Sequence, residues 1–123
     1  MAKPGEIKWL AAPEEQDYPA ALSYLSLLSE EAVAATQVSH LTAAAMASFK
    51  AKDLFRASGL AVLGESNGHV AKDTKKIARG ESLSPLLLVR DPAHAKVIVA
   101  DGYHRLCAVY LYDEDAVIPC KIV

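Results

Sequence analysis

Two apolar runs, Leu86-Leu87-Leu88-Val89-Arg90 and Lys96-Val97-Ile98-Val99-Ala100, flank the short turn Asp91–Ala95. Near-continuous apolar runs of this length suit buried strands. The Asp-Pro turn between them makes the pair a hairpin. Pro85 stands directly before the first run, where it separates the strand from whatever precedes it. Any fold of this chain must be built around that hairpin.

The segments on either side are mostly helical in pattern. Tyr103 to about Tyr112 reads as a helix, and Val117–Val123 as a last strand carrying Pro119. His69–Ala78 reads as a short helix ended by Gly80. Residues 60–68, with Gly64, Ser66, Asn67 and Gly68, read as a loop. Further upstream, Tyr24-Leu25-Ser26-Leu27-Leu28 reads as the first strand of the domain. Ser29 then suits a helix N-cap, with Glu30 and Glu31 in the first turn. From Glu30 to about Ser58 the chain is alanine-rich and has no Pro or Gly before Gly59. Val33, Val38, Leu41, Ala45 and Phe49 share one face, apart from one overlong step between the two valines. The length favours two helices over one. The second would start near Lys52-Asp53 and stop at Gly59. Residues 1–17 read as an irregular N-terminal arm with a short strand open at Ile7–Leu10, and 18–123 as a single domain. Helices and strands around one sheet make the class α+β.

Composition narrows the function. Hydrophobic residues are 52% of the chain, enough for a core without disulfides or metals. A net charge of −2 argues against a general nucleic-acid binder. The chain has no apolar run of about 18 residues, and its start lacks the layout of a signal peptide. A cytoplasmic protein with no membrane partner is expected. Cys107 and Cys120 lack CxxC spacing and read as reduced, buried thiols. The four His residues show no ligand spacing, so no structural metal is expected. His40 and His94 are poor ligand candidates, and Asp113-Glu114-Asp115 reads as a solvated loop.

The chemistry concentrates at Asp101-Gly102-Tyr103-His104-Arg105, where a strand gives way to a helix. The first amides of a helix lack internal partners and lie at the positive end of its dipole, so an anion can bind there. Gly102 allows a tight turn and close approach. His104 and Arg105 stand in the first turn, and a guanidinium matches phosphate oxygens. Asp101 could cap the helix, hold a metal ion beside the phosphate, or act as a catalytic base. The same residues also read as an ordinary Asp-Gly turn with solvated neighbours.

At this turn the chain resembles the ParB/sulfiredoxin superfamily, whose Gly-x-x-Arg-x-x-Ala pattern is matched by Gly102, Arg105 and Ala108. His104 matches the His that precedes the Arg in sulfiredoxins. The resemblance covers roughly residues 68–123. It implies a ParB/sulfiredoxin-like small mixed sheet with flanking helices, to which the alanine-rich segment is an addition. It also implies that the turn binds nucleotide phosphates and that the helix His69–Ala78 supplies further contacts. His69, Lys72 and Lys76 share one face of that helix by spacing. The phosphate-binding set is then Gly102, Tyr103, His104, Arg105, His69, Lys72 and Lys76.

Two departures matter. Tyr103 stands where sulfiredoxin has its catalytic cysteine, and a phenol with a pKa near 10 does not replace a thiolate. Sulfinic-acid reduction is therefore not expected. The helical DNA-binding region of ParB does not follow in these 123 residues, so DNA binding by this chain alone is not expected. Three functions stay open. One is a regulatory module binding ATP, CTP or another phosphorylated small molecule, with Mg²⁺ accompanying the nucleotide. Another is a small-molecule kinase or nucleotide hydrolase using the same site, with Asp101 as candidate catalytic residue. The third is an interaction protein with a degenerate site. The alanine-rich segment could pack on the sheet or form a homodimer.

Overall fold

The computed structural model describes residues 6–123. Its elements are α1 (Asp17–Leu28), α2 (Glu31–Ala43), β1 (Ala47–Lys50), α3 (Ala51–Ser58), α4 (Gly68–Ala78), β2 (Leu86–Asp91), β3 (Lys96–Asp101), α5 (Tyr103–Tyr112) and β4 (Val117–Ile122). A 3₁₀ turn at Pro92–His94 joins β2 to β3, which pair antiparallel as the expected hairpin. The described residues thus form a mixed α+β fold on a four-stranded sheet of order β1-β4-β2-β3. The β4–β2 pair is parallel, and the β1–β4 pair is antiparallel.

The sheet is covered on both faces. Leu86 and Leu88 of β2 join Val97, Val99, Ile118 and Cys120 under α3, α4 and α5. Leu87 and Val89 point the other way, to Ala21, Leu25, Ala34 and Leu41 of α1 and α2. Leu86, Leu87 and Leu88 are fully buried, which explains why β2 carries no polar alternation. Each such side chain stabilises the fold by about 1.5–3 kcal/mol through burial alone.

The structure departs from the sequence expectations in its first half. Tyr24–Leu28 is the end of helix α1 and not a strand. Of the apolar residues of α1 only Ala21 and Leu25, four apart, are fully buried, while Tyr24, Leu27 and Leu28 face outward. Burial in this apolar run follows the helical repeat and not the alternation of a strand. Pro19 lies in the first turn of α1, where a missing amide costs little. Ser29 ends α1 and does not start a helix: its amide donates to Leu25 O at 3.1 Å, and Glu30 precedes α2.

The alanine-rich segment holds two helices, as favoured, but strand β1 lies between them. Ala47-Ser48-Phe49-Lys50 has weak strand propensity, and its ladder with β4 outweighs that preference. The amides of Ala51 and Lys52 then bond Ala116 O and Glu114 O, both at 2.9 Å, which fixes the start of α3. Gly59 ends α3 in the left-handed region, as its position implies. The strand open at Ile7–Leu10 is reduced to a single bridge, Trp9 to Leu83. Helix α1 begins at Asp17, the last residue of the predicted arm. Among the described residues, no helix is long and apolar enough to cross a membrane.

Candidate functional site

Strand β3 runs straight into α5 through Gly102, which has φ +107°. A Cβ at Gly102 would lie 2.7 Å from Leu86 Cγ, so the turn requires glycine for space as well as for conformation. No side chain caps the amides of α5. The neighbouring helix α4 differs: Asn67 Oδ1 accepts from the amides of His69 and Val70, at 3.0 and 3.2 Å. Helix α4 packs beside α5, so it offers side chains where α5 offers its open end.

Asp101, Gly102, Tyr103, His104, Arg105, His69, Lys72 and Lys76 all border one polar cleft of about 250 Å³. The residues of the expected phosphate-binding set, and Asp101 with them, thus share one cleft. The His69 and His104 rings lie 4.7 Å apart, each in the first turn of its helix. Tyr103 turns its hydroxyl away and donates to Ala61 O at 2.6 Å. Its phenol is thereby engaged by the loop that precedes α4.

Sequence reasoning missed Glu14, Gln16, Asp17 and Asp73, which line the same cleft. Asp17 is the most consequential. Its buried carboxylate accepts from the Ser84 hydroxyl and stands 3.7 Å from the Arg105 guanidinium. Asp101 takes the same guanidinium nitrogen at 2.9 Å. Arg105 is thus held between two carboxylates, while its buried Nε has no hydrogen-bond partner among the described residues. Asp101 is not a free base, because its carboxylate is engaged by Arg105. Asp73 was legible in principle, since positions 69, 72, 73 and 76 share a helix face.

The electrostatics follow from burial. Asp101 has its pKa raised by desolvation, with Arg105 opposing and Asp17 adding to the rise. Asp73 is raised by desolvation too, against the pull of Arg105, Lys76, His104 and Lys72. His104 is lowered by desolvation and by His69, with Asp73 opposing. At neutral pH the His104 imidazole is therefore neutral, and the fixed positive charges facing the cleft are Lys72, Lys76 and Arg105.

Both cysteines are free and buried. The Cys107 thiol is pushed up by burial and accepts from the Leu63 amide at 3.5 Å. Cys120 is pushed up to about 11 by burial. Neither ionises near neutral pH, so neither is an activated nucleophile. His94 is exposed and pairs with Asp91 at 2.8 Å. Asp115 of the acidic loop pairs with Lys52 at 2.6 Å, on the surface. Among the described residues, no group of three His, Cys, Asp or Glu side chains is placed to hold a metal ion. Compared with known proteins, the chain matches no family model, no curated protein and no solved structure.

Proposed function

We propose that the cleft binds the phosphate of a nucleotide or another phosphorylated small molecule, and that the protein is a regulatory binding module. One observation carries this reading: the uncapped start of α5 faces the same cleft as Lys72, Lys76 and Arg105. Open amides beside Lys72 and Lys76, whose ammonium groups make no ion pair with a described residue, suit an anion. The resemblance to the ParB/sulfiredoxin superfamily agrees with it, since the helix, hairpin, Gly turn and helix follow in the order that superfamily uses. Mg²⁺ would enter on the phosphates of the nucleotide. The cleft also carries the carboxylates Glu14, Asp17, Asp73 and Asp101, of which Asp17 and Asp101 are engaged by Arg105.

Lys72 and Lys76 are the residues to test, because neither holds a buried partner. Titration of ATP and CTP with Mg²⁺ into the protein should show binding. The double change Lys72→Ala and Lys76→Ala should weaken it about tenfold or more without altering the circular dichroism spectrum. No heat and no signal with any nucleotide or with inorganic phosphate would sink the reading, leaving an interaction protein with a degenerate site.

The same cleft should respond to pH. As pH falls, His104 gains a charge, and Asp73 and Asp101 lose theirs at higher pH than ordinary carboxylates. All three changes make the cleft more positive. Sulfate, whose own charge stays constant, should therefore bind more tightly at about pH 5 than at about pH 8. Equal affinity at both would show that these groups do not face the anion.

A second reading is phosphoryl transfer or nucleotide hydrolysis. It is favoured by two carboxyls, Asp73 and Asp101, whose raised pKa values lie beside the cations of the cleft. Mg²⁺-dependent release of phosphate or diphosphate, lost in Asp101→Asn, would support it. Nucleotide binding without any release would leave the regulatory reading standing alone.

A further inference from the structure

Away from the polar cleft, a groove of about 440 Å³ lies between α3 and the ends of the strands. Its apolar walls are Phe49 of β1, Leu54 and Ala57 of α3, Val97 of β3 and Ile122 of β4. A shallower extension shares Phe49, Ala57, Val97 and Ile122 and runs on to Arg90, Pro92 and Lys96. None of these residues borders the polar cleft.

Three cations surround the groove: Arg56 from α3, Arg90 from β2 and Lys96 from β3. None of the three makes an ion pair with a described residue. For Lys96 the reason is visible. Its cross-strand neighbour is Asp91, but the Asp91 carboxylate turns to His94. Arg90 is opposite Val97 in the ladder, so its positive charge stands next to the apolar wall. Asp53 is the one acid on the groove among the described residues. An apolar trough of this size with a few converging charges is the usual form of a small-molecule site. The excess of unpaired positive charge selects an acid, and the trough selects an apolar body.

We propose that this groove binds a small amphipathic carboxylic acid, an acyl or arylalkyl carboxylate. Its chain lies along Leu54, Ala57 and Val97, and its carboxylate lies at the Arg90 and Lys96 end. Arg offers such a carboxylate a two-pronged set of donors. Occupancy couples α3 to the sheet, because the ligand touches Ala57 on one side and Val97 and Ile122 on the other. The site is separate from the phosphate cleft and does not depend on the reading given for it.

Decanoate is the probe, with decanol as its uncharged counterpart, each followed by titration calorimetry on the full chain below its aggregation threshold. Decanoate should bind and decanol should bind about tenfold more weakly or not at all. The pair Arg90→Ala and Lys96→Ala should lower decanoate affinity by a similar factor. Ala57→Trp, at an exposed helix position, should fill the trough and abolish binding while leaving the fold unchanged by circular dichroism. If Ala57→Trp does not fold, Ala57→Met is the second blocking variant, with the same expected loss. The proposal is overturned by decanoate that fails to bind the wild type, by decanol that binds equally well, or by blocking variants that bind as tightly as the wild type. A short acidic, apolar peptide that binds here when decanoate does not would assign the groove to a protein partner and likewise overturn it.

Discussion

Gly102→Ala should destabilise the protein by about 2–4 kcal/mol, the sum of backbone strain and a steric conflict. The backbone contribution arises because φ is +107° there, a region that costs a side chain of L configuration free energy. The conflict arises because the added methyl would meet Leu86 Cγ at 2.7 Å and Cδ1 at 3.1 Å. Leu86 is fully buried in β2 and packed in the core, so it cannot swing into solvent. The Arg105 terminal nitrogen at 3.0 Å is also close, but a flexible side-chain end can move. Gly59→Ala separates the two effects. Gly59 has φ +67°, and its nearest neighbour would be the Lys96 ammonium at 3.6 Å, so it should lose only about 1 kcal/mol. Urea denaturation of the two variants is the measurement. Equal losses would mean that Leu86 gives way and that the turn tolerates a side chain.

Arg105→Ala should cost about 2–4 kcal/mol for a different reason. The side chains of Arg105 and Asp101 are 18% and 17% exposed, and that of Asp17 is 8% exposed. Removing the guanidinium leaves two carboxylates facing each other in a poorly solvated place. Breaking a buried pair by deleting one partner is costly because of the charge left behind. Partial exposure keeps the effect below that of a fully sealed pair. Adding Asp101→Asn to Arg105→Ala should recover part of the loss, since it removes one of the stranded charges. A single variant within about 0.5 kcal/mol of the wild type, a typical surface effect, would show that water already solvates the cluster. A phosphate bound at α5 would have to share Arg105 with these carboxylates, through the nitrogens they leave unused.

The parts of the fold that were legible in the sequence are those where local pattern and burial agree. The hairpin was readable because β2 is buried on both faces and its apolar run is unbroken. Helices α4 and α5 were readable from the glycines beside them, Gly80 after α4 and Gly102 before α5. Helix α1 was not: Tyr24, Leu27 and Leu28 are apolar yet exposed, so counting apolar residues gave a strand. Strand β1 left no local sign at all, since Ala47-Ser48-Phe49-Lys50 sits in a helix-prone context and is extended through its pairing with β4. The cleft shows the same division. His104 and Arg105 follow Gly102 in sequence and could be read together. Asp17 reaches Arg105 only because α1 packs across the hairpin, and no spacing along the chain announces that contact.

The order of the strands also has a kinetic meaning. Strand β4 lies between β1 and β2, although it comes last among the strands. Ala47 meets Cys120, and Leu86 meets the same residue from the other side. Until β4 arrives, β1 has no neighbour and the hairpin has an open, apolar edge. The hairpin can close locally and early, whereas β1 must wait for a contact across most of the chain. Loop closure over such distances slows folding. Insertion of β4 is therefore the step at which two separate pieces become one sheet, and an intermediate that lacks it would present the unprotected edge of β2 to other chains.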